Sequence, residues 1–100
     1  MDLKKLMSQA LEMQERMQRD LQDLEVEAAV GGGMVSVRMN GTKSLLSVSI
    51  DPEVLDPEDP QMVQDLILSA VNEAGRKVDS EVQQKIGSLA PGLAGLGGLS

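Results

Sequence analysis

The apolar residues of this chain change period twice. They recur every three or four positions from residue 2 to 24, every second position from Val26 to Ile50, and every three or four positions again from Pro60 to about Leu89. The first and last patterns place apolar side chains along one side of a helix, and the middle one along one face of a strand. The order is therefore helix, short strands, helix, an α+β arrangement. The lengths do not match: at 1.5 Å per residue the helices run roughly 35 and 45 Å, while strands of about six residues span roughly 20 Å. So short a sheet cannot cover both helices along their length. The excess has to project or find a partner, and both follow if the chain dimerises through its core and sends helical arms outward.

In the first helix the stripe is Leu3, Leu6, Met7, Ala10, Leu11, Met13, Met17, Leu21 and Leu24, with charged and amide side chains opposite. Its methionines suit either ordinary packing, in the core or across a dimer, or an adaptable binding groove, because the thioether side chain fills irregular gaps. The packing role is the simpler expectation.

Three strands follow. Val26, Ala28 and Val30 form one apolar set, Val35, Val37 and Met39 a second, and Leu46, Val48 and Ile50 a third. Parity fixes the pairing, since a slip of one residue turns every side chain to the other face. A four-residue loop from Gly31 to Met34 sets Val30 against Val35 and Ala28 against Val37. Asn40-Gly41 predicts a two-residue type I′ turn with positive φ at both positions, which sets Val35 against Leu46. Arg38 then lies between Glu27 and Lys43 on the open face. Two neighbouring bases there suggest an anion site, or simply a compensated Arg-Glu pair. The glycine triplet reads as a turn; a phosphate cradle is the alternative, but no GxxxxGK[ST] pattern surrounds it.

Asp51-Pro52 closes the third strand, and Asp59 before Pro60 predicts an N-cap followed by a first-turn proline. The second helix begins with a broad stripe, Val63, Leu66, Ile67, Ala70, Val71 and Ala74. It continues with a narrow one, Val78, Val82 and Ile86. A broad stripe suits a sheet and a narrow one a helical seam. Residues 1 to 89 read as a single domain, and residues 90 to 100, APGLAGLGGLS, as a flexible tail without charge.

Composition removes most chemistry. The chain has no Cys and no His, so thiol nucleophiles, Cys/His zinc sites and an imidazole proton shuttle are excluded. An enzyme is not expected, nor a cofactor, a metal or a small-molecule substrate. No run approaches the roughly 20 apolar residues of a membrane span, and a soluble cytoplasmic protein is the plain expectation. A net charge of −7 opposes a polyanionic partner.

Against that charge stands a resemblance. The segments GGGMVSVRMNG, VSIDPEVLDPEDP and MVQDLILSAVNEAGRKV, preceded by QALEMQERMQ, resemble the YbaB/EbfC family of bacterial nucleoid-associated DNA-binding proteins, from the first helix to about Lys85. The resemblance implies an α-β-β-β-α subunit with a three-stranded antiparallel sheet and two long helices. It also implies a homodimer shaped like tweezers that sits on the nucleoid and holds duplex DNA with its protruding helices. The candidate DNA-binding residues are then the bases on those arms: Lys4, Lys5, Arg16, Arg19, Arg76, Lys77 and Lys85. The bland alternative is that they belong to surface ion-pair ladders, because Glu12, Arg16 and Asp20 are spaced by four, as are Glu15, Arg19 and Asp23, and Glu73, Lys77, Glu81 and Lys85. By that spacing Lys4, Lys5 and Arg76 are the least compensated. Any binding should be weak or strongly salt-sensitive, and without aromatic residues stacking on single strands is disfavoured. The alternative function is a scaffold that recruits a DNA repair or replication protein, with DNA contact incidental.

Overall fold

A computed structural model describes residues 2 to 89. They form helix α1 (Leu3–Asp23), strands β1 (Glu25–Val30), β2 (Val35–Asn40) and β3 (Leu45–Ile50), a 3-10 turn at Pro52–Val54 and helix α2 (Pro60–Leu89). The strands make one antiparallel sheet in the order β1-β2-β3. The α-β-β-β-α order and both long helices match the sequence expectation. The expected flexible tail, residues 90 to 100, lies outside the described residues.

Local chemistry sets the element ends. The Asp2 carboxylate accepts from the backbone N–H of Lys4 at 3.1 Å, capping α1, and Asp59 accepts from Met62 N–H at 3.3 Å at the start of α2. Asp51 accepts from Glu53 N–H at 3.0 Å and turns the chain out of the sheet. Each satisfies a donor that the first helical turn leaves without a partner.

The β1–β2 connection is the four-residue loop that parity requires. Val30 pairs with Val35 and Ala28 with Val37. Gly31, Gly32 and Gly33 all take positive φ, at 63°, 68° and 90°, so three successive residues adopt a conformation that side chains disfavour.

The second hairpin departs from expectation. Asn40 N–H donates to Ser44 O at 3.0 Å and Lys43 N–H to Asn40 O at 2.9 Å, enclosing Gly41, Thr42 and Lys43. The left-handed residue is Lys43, with φ 65°, and Gly41 is not left-handed. This is a three-residue loop closed by an αL residue rather than a type I′ turn. A bulge beside Arg38/Met39 then shifts the register, so Val35 pairs with Ile50, Val37 with Val48 and Met39 with Leu45, not Val35 with Leu46. The apolar sets still share a face because loop and bulge together restore the parity.

Asn40 organises this loop. Its Oδ1 accepts from Thr42 N–H at 3.0 Å, from the Thr42 hydroxyl at 2.7 Å and from Ser44 N–H at 3.1 Å. Asn40→Ala should destabilise the fold by about 1–3 kcal/mol, since it strips three donors of their acceptor in a part-buried site. Thermal unfolding checks this, and an unchanged midpoint would show that the loop holds without the side chain.

The core lies between the sheet and α2. Ala28, Val35, Val37 and Met39 meet Ala70, Ala74 and Val78, with Val54 closing one end. The alanines bring the helix axis close to β1 and β2, across which α2 packs. β3 is left uncovered, with Leu45, Leu46 and Val48 each more than 40% exposed. No residue of α1 is buried, so its Met-rich stripe is not core within the protomer. The radius of gyration is 19.0 Å and the long dimension 68 Å, against about 13 Å for a compact chain of this length. The excess helix projects.

Candidate functional site

α1 is an arm fixed at its root. Gly41 N–H donates to Leu21 O at 2.8 Å and to Leu24 O at 3.0 Å, so the β2–β3 loop grips the last carbonyls of the helix. That close approach explains the glycine: a Cβ at position 41 would sit 2.5 Å from Leu21 O. Leu21, Gly41, Lys43, Val78 and Val82 line the joint, and Lys43 Nζ reaches Asp79 at 2.8 Å, tying the loop to α2. Beyond the joint every side chain from Leu3 to Arg19 is exposed.

The seven candidate bases fall into two groups. On α2 each has a partner. Arg76 donates from Nε and Nη2 to Glu73 at 3.1 and 2.7 Å, and its guanidinium holds the Glu73 carboxyl below the usual carboxylate range, first through the hydrogen bond and then through charge. Lys77 Nζ donates to the main-chain carbonyl of Glu27 at 2.8 Å, tying α2 to the free edge of β1. Lys85 Nζ lies 3.9 Å from Asp20 of α1.

On α1 the other four have no ion-pair partner among the described residues. Lys5, Arg16 and Arg19 share a face, separated by 11 and 14 residues, near whole numbers of helical turns. Lys4 lies beside them at the tip. The tip pair and the root pair are roughly 20 Å apart along the axis.

Spacing alone misjudged this pattern. The expected ladders through Arg16, Arg19, Lys77 and Lys85 do not close as ion pairs among the described residues. Arg76, expected to be among the least compensated, is the one held by an acid three residues away. Lys77 finds a carbonyl 50 residues distant in sequence, which no local spacing reveals. The suggested anion site on the sheet is not assembled either. Arg38 pairs in register with Glu27 and Ser47 and forms an ion pair with Glu25, while Lys43 turns to α2.

Among the described residues no helix is long and apolar enough to cross a membrane. A model of the YbaB/EbfC DNA-binding family matches residues 1–93. A nucleoid-associated protein of Acetivibrio thermocellus is 46% identical over 101 residues, covering 98% of this chain and 89% of its own length. Another from Chloroflexus aurantiacus is 41% identical over 99 residues, covering 96% of this chain and 99% of its own. The fold is similar to the crystal structure of an uncharacterized protein, HP0035, from Helicobacter pylori, with a TM-score of 0.63 and 28% identity over 79% of this chain and 92% of that one.

Proposed function

The chain belongs to the YbaB/EbfC DNA-binding family, and on that premise we propose that it binds duplex DNA on the bacterial nucleoid as a homodimer, gripping with α1. The observation that carries this reading is the arm itself. α1 stands off the body with Lys4, Lys5, Arg16 and Arg19 exposed and without ion-pair partners among the described residues. Bases already held by an acid, as Arg76 and Lys85 are, or by a main-chain carbonyl, as Lys77 is, neutralise fewer phosphates, so these four outweigh them. The role is architectural or regulatory. The family description, which names DNA, favours this reading over recruitment of a repair or replication partner.

Dimerisation draws on the uncovered side of the sheet. Leu45, Leu46 and Val48 leave large apolar side chains of a single strand, β3, in water, more than scattered exposure explains. A second copy that covers β3 removes that surface and sets two arms on one particle. Sedimentation equilibrium should find a dimer at micromolar concentration; a folded monomer there would remove this part of the proposal.

With a net charge of −7, the protein must attract phosphate locally while repelling it overall. Electrophoretic mobility shift over a salt series should therefore show duplex binding that weakens steeply as salt rises, with a logarithmic slope of about −0.9 for each phosphate neutralised. Binding indifferent to salt would contradict a phosphate-gripping arm.

A further inference from the structure

Asn40 and Gly41 each hold the β2–β3 loop, and side by side they form a reactive pair. In asparagine followed by glycine the main-chain nitrogen attacks the side-chain amide most readily, because glycine has no side chain to hinder the approach. The Gly41 nitrogen would bond to Asn40 Cγ while the Cγ–Nδ2 bond breaks; the Gly41 proton passes through water to the departing amide, which leaves as ammonia. Water then opens the cyclic imide at either carbonyl. Opening at Cγ gives aspartate in the ordinary chain. Opening at the main-chain carbonyl gives isoaspartate, whose main chain runs through Cβ and Cγ and is one carbon longer. Docked α1 blocks the first step. Gly41 N–H donates to Leu21 O at 2.8 Å and Leu24 O at 3.0 Å, so its proton is engaged and its nitrogen faces the helix. Asn40 Oδ1 is held by Thr42 N–H, the Thr42 hydroxyl and Ser44 N–H, and the residue is only 9% exposed.

We propose that Asn40-Gly41 is a site of spontaneous covalent conversion locked by α1, and that conversion to isoaspartate releases the arm for good. While α1 is docked the pair is inert. No residue of α1 is buried, so this helix is the element that opens at least cost, well before the sheet and α2 separate. Each excursion of the arm withdraws both carbonyls from Gly41 N–H and frees the nitrogen to attack. The longer isoaspartate chain then displaces Gly41 from the helix end, and the hydrogen bonds that seated α1 cannot re-form. Substitution at position 41 offers no escape, because a Cβ there would lie 2.5 Å from Leu21 O. The docking that suppresses the reaction thus requires the glycine that permits it. Either product also places a new negative charge at the root of the arm, which opposes an anionic partner there. The proposal concerns a single chain and stands whether or not the arm binds DNA.

Peptide mapping by mass spectrometry of the full chain aged at mildly alkaline pH reads the conversion, and isoaspartyl methyltransferase labelling tells isoaspartate from aspartate. The folded protein should convert at least about a hundredfold more slowly than the same chain in urea, since only the opened fraction reacts; equal rates would overturn the proposal. Leu21→Ala weakens the packing of the arm at the joint with Val78 and Val82 and should speed conversion about tenfold, the shift expected from losing part of one leucine's burial. Ala70→Gly weakens the core between α2 and the sheet without touching the joint, and should leave the rate within about twofold if opening is local. Circular dichroism checks that both variants remain folded. Equal acceleration in the two variants would mean that only global unfolding exposes the pair, and no acceleration by Leu21→Ala would mean that α1 is not the lock; either result overturns the proposal. Converted protein, separated from the parent on anion exchange by its added charge, should exchange the amide hydrogens of Gly41 and the end of α1 about tenfold faster. Unchanged protection there would overturn the permanent release.

Discussion

Gly41→Ala should lower stability by about 2–3 kcal/mol, a large effect for one added methyl group on a partly exposed loop. The new Cβ would lie 2.5 Å from Leu21 O and 3.0 Å from Leu21 Cα. Both are backbone atoms at the end of a helix, and neither can rotate away as a side-chain tip would. The loop must retreat, and in doing so it releases the hydrogen bonds from Gly41 N–H to Leu21 O and Leu24 O. For a domain of this size the thermal midpoint should fall by about 10 °C or more. Gly75→Ala is the matching control. Nothing lies within 4 Å of the Cβ it would add, and in the interior of α2 the change should stabilise by about 0.5–1 kcal/mol. A neutral Gly41→Ala would mean that α1 does not depend on this loop for its position.

The second large effect concerns binding. Replacing Lys4, Lys5, Arg16 and Arg19 together by Gln should reduce duplex affinity by about a thousandfold at physiological salt and flatten the salt slope by about 0.9 for each phosphate no longer neutralised. Glutamine keeps a good helix propensity, so the arm itself persists. Arg76→Gln with Lys85→Gln should cost less than about tenfold by the same accounting of phosphates, since those bases already face Glu73 and Asp20. Mobility shift with fluorescently labelled duplex measures both. Equal losses in the two variants would show that ion pairing within the protomer does not decide which bases serve.

Much of this molecule is legible in its sequence, for identifiable reasons. The β1–β2 pairing followed from parity because the Gly31–Gly33 turn inserts no irregularity. The β2–β3 pairing did not, because Asn40-Gly41 looks like a type I′ turn while Gly41 serves another purpose, making room for the end of α1. A left-handed Lys43 and a bulge beside Met39 leave no mark in local spacing. The cap at Asp59 was legible, since capping is decided within a few residues; the cap at Asp2 was found only in the structure. The state of each base was not, because Lys77 and Lys85 find partners on other elements. Periodicity likewise showed that α1 has an apolar side without showing that the described protomer leaves it bare.

Whether duplex DNA meets the polar face of α1 is tested residue by residue by nuclear magnetic resonance titration of the isotope-labelled protein with a short duplex at low salt. Amide shifts should concentrate at Lys4, Lys5, Arg16 and Arg19 and their neighbours on that face, while Ser36, Arg38 and Ser47 on the sheet stay still. Shifts concentrated on the sheet, with α1 unmoved, would contradict the proposed grip.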